Sequence, residues 1–245
     1  RSGLFLAAPR RTGKSTFLRE DLLPVMQKRG WTTIYVDLWA DKSKDPALLI
    51  TSAVKTKIGA FAGVVTRMAK ATGLEKVNVF GALSLNLDSL ELPPGLTLAD
   101  ALEALVEAGK APVAIVIDEA QHALSSQAGL DAMFALKAAR DHLNQGSGQQ
   151  GLFIVLTGSN RDKLAHLVLK RTQPFFGSQV TRFPLLTKDF TDAYTDFVNP
   201  WLAADNQFAY EDMFEAFKLV GHRPEMLRSI VGEIALNAGA DHLGE

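Results

Sequence analysis

Apolar residues along the chain follow two rhythms, and together they predict an alternating α/β layout. Short, largely apolar runs read as buried strands: Leu4-Phe5-Leu6, Thr32 to Asp37, Val113 to Ile117 and Leu152 to Thr157. Runs of this length, rich in Val and Ile, suit parallel strands covered on both faces. Between them the spacing changes to that of amphipathic helices. One helix is predicted from Ser15 to about Arg29, stopping at Gly30, with Pro24 inside it expected to bend it or remove a hydrogen bond. A second begins at Asp45-Pro46, with Asp as N-cap and Pro in the first turn, and continues unevenly to about Ala71. Thr97 with Asp100 has the form of a capping box and opens a third, ending at Gly109.

Later segments extend the pattern. A helix is predicted from about Leu130 to Leu143, then a polar linker from Asn144 to Gly151. Arg161 to Lys170 reads as helical and Gln179 to Phe183 as one more strand. From about Thr187 only helical periodicity remains, over Phe190–Val198, Tyr210–Val220 and Pro224–Asn237. Residues 76–88 break the rhythm, because Val77, Val79, Leu83, Leu85 and Leu87 alternate with polar residues around Phe80-Gly81-Ala82. That is a β-hairpin pattern, either an insertion or an extension of the sheet. The expected architecture is an α/β parallel sheet over residues 1–186 followed by a small helical domain over 187–245.

The first strand leads into Ala8-Pro9-Arg10-Arg11-Thr12-Gly13-Lys14-Ser15-Thr16, directly ahead of a helix. Strand, Gly-Lys-Ser turn and helix form the context of a phosphate-binding loop, although Ala8 stands where the strict pattern has Gly. Backbone N–H groups at the helix start can wrap a phosphate, with Lys14 reaching its outer oxygens and the Ser15 hydroxyl offered to Mg²⁺. Pro9 to Thr16 are therefore the candidate nucleotide-binding residues.

The second constellation is Asp118-Glu119-Ala120-Gln121, two acids just after the most apolar strand. The carboxyl end of a central parallel strand is where such sheets bind ligands. Asp118 suits a metal ligand and Glu119 a general base for an attacking water. The third is Thr157-Gly158-Ser159-Asn160, ending another buried strand. Ser159 or Asn160 could bond phosphate or water there, or simply cap the next helix.

Composition narrows the classes. The 245 residues carry a net charge of −1 with 22% charged residues, so no basic excess announces nucleic acid. Cys is absent, which excludes disulfides, thiolate metal sites and cysteine nucleophiles. The five His show no metal spacing, and no Gly-x-Ser-x-Gly elbow is present. No apolar run approaches the ~20 residues of a membrane span, and a cytoplasmic setting is expected. The chain begins at Arg1, inside its first strand, and reads as a piece of something longer.

Taken together, Ala8-x4-Gly13-Lys14-Ser15, Asp118-Glu119 and the Thr157–Asn160 cluster resemble an AAA+ ATPase of the ASCE P-loop class. More narrowly, the chain is similar to the archaeal-type ATPases, close to the signal-transducing STAND class. The Phe183-Pro184-Leu185-Leu186 exit and Gly221-His222-Arg223-Pro224 add to the likeness. The resemblance implies ATP and Mg²⁺ as ligands, Asp118 as the Walker B aspartate, and Ser159 or Asn160 as the polar sensor. It also implies a C-terminal helical lid in which Arg223 touches phosphate. Arg161, Arg171 and Arg182 are the candidates for an arginine finger. The adenine-contacting segment would precede the first strand, outside this sequence.

The expected activity is Mg-dependent ATP hydrolysis coupled to lid movement and engagement of a partner, by self-association or through flanking domains. Two alternatives stand beside it: a slow nucleotide-gated STAND-type interaction switch, and a DNA-handling ATPase of the transposition or replication-loader type.

Overall fold

The computed structural model describes residues 3–61, 97–145 and 151–240, so the predicted hairpin at 76–88 lies outside the described residues. Five parallel strands form the sheet: β1 (Gly3–Ala7), β2 (Thr32–Asp37), β3 (Val113–Asp118), β4 (Leu152–Gly158) and β5 (Val180–Arg182). Their order is β2-β3-β4-β1-β5. β4 therefore separates the strand that feeds the phosphate loop from the strand that ends in the two acids. In register, Ala7 lies opposite Gly158 and Asp37 opposite Asp118, so the strand ends that carry the chemistry share one edge.

Side-chain alternation decides which face each helix covers. Ile115, Ile117, Ile154 and Leu156 enter one cluster, while Val116 and Val155 enter the other. The larger cluster is roofed by α2 (Pro46–Gly59), α3 (Leu98–Gly109) and α4 (Gln127–Leu143), through Ile50, Val54, Leu102, Leu105, Met133 and Leu136. The smaller is covered by α1 (Lys14 to Lys28), whose Leu18 and Leu23 pack with Val116 and Val155. Burying a side chain such as Leu18 contributes about 2 kcal/mol.

Helix α1 runs from Lys14 to Lys28 in three consecutive pieces: Lys14–Thr16, a wider π-helical stretch Phe17–Leu22, and Leu23–Lys28. The Leu23 N–H reaches back five residues to the Leu18 carbonyl. Pro24, which has no N–H to donate, then falls in the first turn of the last piece. The wider turn thus absorbs the proline.

The predicted caps are present. The Asp45 carboxylate accepts the Ala47 N–H at 2.8 Å, and Thr97 and Asp100 form a reciprocal capping box. Helix α2 ends at Gly59, ahead of the expected Ala71, which lies outside the described residues, and two further boundaries differ from expectation. Helix α4 starts at Gln127, ahead of Leu130, because Ser126 Oγ accepts the Gly129 N–H and caps it. Helix α5 (Arg161–Ala165) stops well short of Lys170. The carbonyls of Leu167 and Val168 accept from the N–H groups of Phe175 and Gly177 instead. That diversion buries Phe175, which meets Phe5 edge-on at 5.3 Å.

The chain divides into two compact units, Arg1–Ala7 with Ser15–Arg182, and Ala8–Lys14 with Phe183–Glu245. In the second, α6 (Lys188–Val198), α7 (Tyr210–Leu219) and α8 (Pro224–Ala240) surround Met213, Phe217, Leu227 and Val231. Among the described residues, no helix is long and apolar enough to cross a membrane.

Candidate functional site

The phosphate loop owes its shape to two residues in the left-handed region, Arg11 (φ 66°) and Gly13 (φ 90°). Backbone conformation is what requires glycine at 13, since the nearest neighbour of an added Cβ, Leu186 Cδ1, is 4.0 Å away. Arg11 adopts this conformation with a Cβ, a strained state of the kind found at ligand sites. Thr12 Oγ1 donates to the Pro9 carbonyl at 2.8 Å and closes the turn. Lys14 is buried, and its ammonium donates to the carbonyls of Ala8 (3.1 Å) and Pro9 (3.3 Å). The cation is thus held inside the loop, where an anion would meet it.

The same unit brings the start of α8 to this loop. Arg11 Nε lies 3.4 Å from Glu225 Oε2, two residues beyond Arg223. The approach to α8 is itself bent by Gly221 (φ 70°) and His222 (φ 55°), with His222 Nδ1 2.9 Å from the Leu186 carbonyl. Arg223 is half-buried, and its guanidinium donates to the Met226 sulfur at 3.5 Å.

At the carboxyl edge of the sheet, Asp118 is buried and its two oxygens are separately engaged. Ser15 Oγ donates to Oδ2 at 2.5 Å, joining residues 103 apart in sequence, and Tyr35 OH lies 3.4 Å from the same oxygen. Oδ1 accepts from Thr157 Oγ1 and from the Glu119 N–H at 3.0 Å. Arg19 Nη2 donates to the Tyr35 oxygen at 3.2 Å and sits 3.8 Å from Asp37 Oδ2. Burial pushes the Tyr35 phenol up to about 12, so it stays a donor at neutral pH. The hydrogen bond to Tyr35 is the main cause raising the already high Arg19 value.

Glu119 has a left-handed backbone (φ 53°). Its Oε2 accepts from Ser159 Oγ at 2.7 Å, from the Ser159 N–H at 3.3 Å and from Gln121 Nε2. Gln121 Oε1 is buried with no hydrogen-bond partner among the described residues. Asn160, beside Ser159, uses its Oδ1 to accept the Lys163 N–H at 2.9 Å and caps α5. Of the two sensor candidates, the structure brings Ser159 to Glu119 and gives Asn160 the capping role.

A hydroxyl and a carboxylate oxygen converging at Ser15 and Asp118 are the hard oxygen donors that Mg²⁺ takes, usually with only one or two carboxylates from the protein. Among the described residues no group of three or more His, Cys, Asp or Glu could hold a metal ion alone. The Ser15 hydroxyl and the Asp118 carboxylate are a donor set that fits Mg²⁺ shared with a bound phosphate.

Comparison with known proteins decides the family. The AAA domain family model matches residues 1–167. This chain belongs to the AAA domain family. The sheet, its flanking helices and the loop are those of a P-loop NTPase. The Walker-type ATPase of Pyrococcus abyssi aligns over 92% of this chain and 60% of its own, with 20% identity and a TM-score of 0.56. The ORC2 protein of Aeropyrum pernix aligns with a TM-score of 0.50 in two states. Its ADPNP-ADP complexes have 13% identity over 80% of this chain and 45% of that one. Its ADP form has 15% identity over 86% and 50%. At these identities the likeness is one of fold, and the chain spans three-fifths or less of the proteins it resembles. No curated protein matches it.

Within this AAA domain, Tyr35, Arg19, Thr157 and Gln121 are the site residues that sequence reasoning missed. Thr157 and Gln121 lie inside the motifs already singled out. Tyr35 carries a weaker signal, as the aromatic two residues before the end of a buried strand. Of the arginine-finger candidates, Arg182 ends β5, Arg161 opens α5 and Arg171 lies beyond it, all three exposed.

Proposed function

We propose that this AAA domain binds ATP with Mg²⁺ and hydrolyses it. The supporting observation is the 2.5 Å contact that joins Ser15, at the end of the phosphate loop, to Asp118 at the end of β3. In this reading backbone N–H groups from Arg10 to Thr16 cradle the phosphates, with Pro9 shaping the turn, and Lys14 leaves the Ala8 and Pro9 carbonyls for the outer phosphate oxygens. Ser15 and Asp118 hold Mg²⁺, which supplies charge neutralisation on the β- and γ-phosphates. Glu119 takes a proton from water as the water oxygen bonds the γ-phosphorus, and the bond from that phosphorus to the bridging oxygen breaks to release ADP and phosphate. Ser159 reads the nucleotide from the sheet while Asn160 caps α5, and Arg223 reads it from α8. Since Glu225 ties that helix to the loop through Arg11, phosphate contacts can be passed to the helical unit. The output is engagement of a partner, by self-association or through flanking domains, in a cytoplasmic setting.

A second reading, the slow nucleotide-gated switch, turns on one observation. Glu119 Oε2 is already taken by Ser159 and Gln121, which hold the carboxylate in one orientation and leave its other oxygen to meet water. Steady-state ATP turnover against protein concentration, for wild type and Glu119→Gln together, separates the two. Turnover that rises with concentration and is lost in a variant that still binds ATP supports hydrolysis with Glu119 as base. Equally slow turnover in both proteins at every concentration sinks that assignment and leaves the switch.

A further inference from the structure

Asp118 receives four donors from four separate segments, and one of them belongs to no recognised motif. Thr157 Oγ1 and the Glu119 N–H hold Oδ1, so that oxygen is fixed by β4 and by the chain itself. Oδ2 faces Ser15, with Tyr35 OH as its other neighbour at 3.4 Å. Arg19 determines what Tyr35 can do there. A guanidinium has donors only, so the Tyr35 oxygen must accept the 3.2 Å bond from Arg19. Its single proton is then left for Asp118 Oδ2. Arg19 is held in turn by Asp37 Oδ2 at 3.8 Å and lies over the Tyr35 ring, 5.2 Å from its centroid. Asp37 is itself oriented by the Trp39 N–H on Oδ1 at 2.8 Å. The π-helical turn Phe17–Leu22 carries Arg19, and such wide turns recur at functional sites.

We propose that Tyr35, oriented by Arg19, is a positioning residue that holds Asp118 Oδ2 in place for Mg²⁺. The inference rests on the ATP·Mg²⁺ reading above. A cation bound to Ser15 competes for the hydroxyl that now donates to Oδ2, and Tyr35 is then the donor that keeps this oxygen from turning away. Magnesium tolerates little departure from octahedral geometry, so a loosened carboxylate costs affinity. Residues that orient metal ligands this way are typically worth about 10–100-fold in metal affinity.

The test measures Mg²⁺ affinity directly, by titrating Mg²⁺ into protein with a fluorescent non-hydrolysable ATP analogue, and repeats the nucleotide titration in EDTA. Tyr35→Phe keeps the ring against the Leu18–Val116 cluster and removes only the hydroxyl. It should raise the Mg²⁺ concentration for half-saturation about tenfold and leave nucleotide affinity in EDTA within about twofold of wild type. Arg19→Ala should shift Mg²⁺ in the same direction by less, and the double variant should be no worse than Tyr35→Phe, because both act through one hydroxyl. A Mg²⁺ response in Tyr35→Phe equal to wild type overturns the proposal. So does an equal loss of nucleotide affinity with and without Mg²⁺, which would mark Tyr35 as a packing residue. If wild-type nucleotide affinity itself ignores Mg²⁺, the functional reading falls as well; a responsive wild type whose Mg²⁺ midpoint Tyr35→Phe leaves unmoved sinks the positioning role alone.

Discussion

The phosphate loop and the acid cluster around Asp118 are both polar and both organised, but by different means. The loop is shaped by backbone: two left-handed residues, a Thr12 bond to the Pro9 carbonyl, and a lysine resting on main-chain oxygens. The cluster is shaped by side chains, since Ser15, Tyr35 and Thr157 reach Asp118 from α1, β2 and β4. A backbone site tolerates changes of side chain wherever φ permits them. A side-chain site fails one hydrogen bond at a time. The contrast teaches which substitutions should be severe and which graded.

The largest expected effect is chemical. Glu119→Gln should lower ATP turnover by about 10²–10⁴ while nucleotide binding, measured by fluorescence titration, is retained. A variant that still turns over at more than a tenth of the wild-type rate would remove Glu119 as base. Next comes the loop. Gly13→Ala forces a Cβ into φ 90°, a conformation costing about 1–2 kcal/mol in an L-residue, and nucleotide affinity should fall about tenfold. An unchanged dissociation constant would show that the loop's shape is not held by its backbone.

Adjacent residues sharpen the comparison further. Asn160→Ala removes a helix cap and should lower stability by about 1 kcal/mol, read as a fall of about 2–4 °C in Tm. Ser159→Ala should leave Tm nearly unchanged and alter turnover instead, since its hydroxyl bonds the Glu119 carboxylate. If the two variants behave alike in both assays, the division of labour between them is wrong. The smallest effect belongs to Arg11→Ala. Its pair with Glu225 is exposed on both sides, and such pairs are worth about 0–1 kcal/mol and weaken with salt. Melting curves at low and high salt should therefore converge.

Much of the site was legible in one dimension because its residues are neighbours in sequence. Gly13-Lys14-Ser15 and Asp118-Glu119 each sit in a short stretch whose strand and helix periodicity is strong, and the caps at Asp45 and Thr97 obey local rules. Arg19 and Tyr35 were not legible. Neither belongs to a spacing pattern, and their meeting depends on β2 lying beside β3 and on a π-helical turn that periodicity alone does not reveal. Helix ends were misplaced for a similar reason. The α5 helix stops where Phe175 and Gly177 claim the carbonyls of Leu167 and Val168, a contact between turns that no local propensity encodes.

The alternation of strands and helices, the phosphate loop, the two acids and the class of chemistry they imply can all be read along the chain. These follow from local periodicity and from functional groups adjacent along the chain. That Ser159, not Asn160, reaches Glu119, and that Tyr35 joins Ser15 and Thr157 on Asp118, emerges only once the chain is folded. Those choices depend on strand order and on which rotamer can reach across a ladder, and both are set by packing between segments that are distant in the chain.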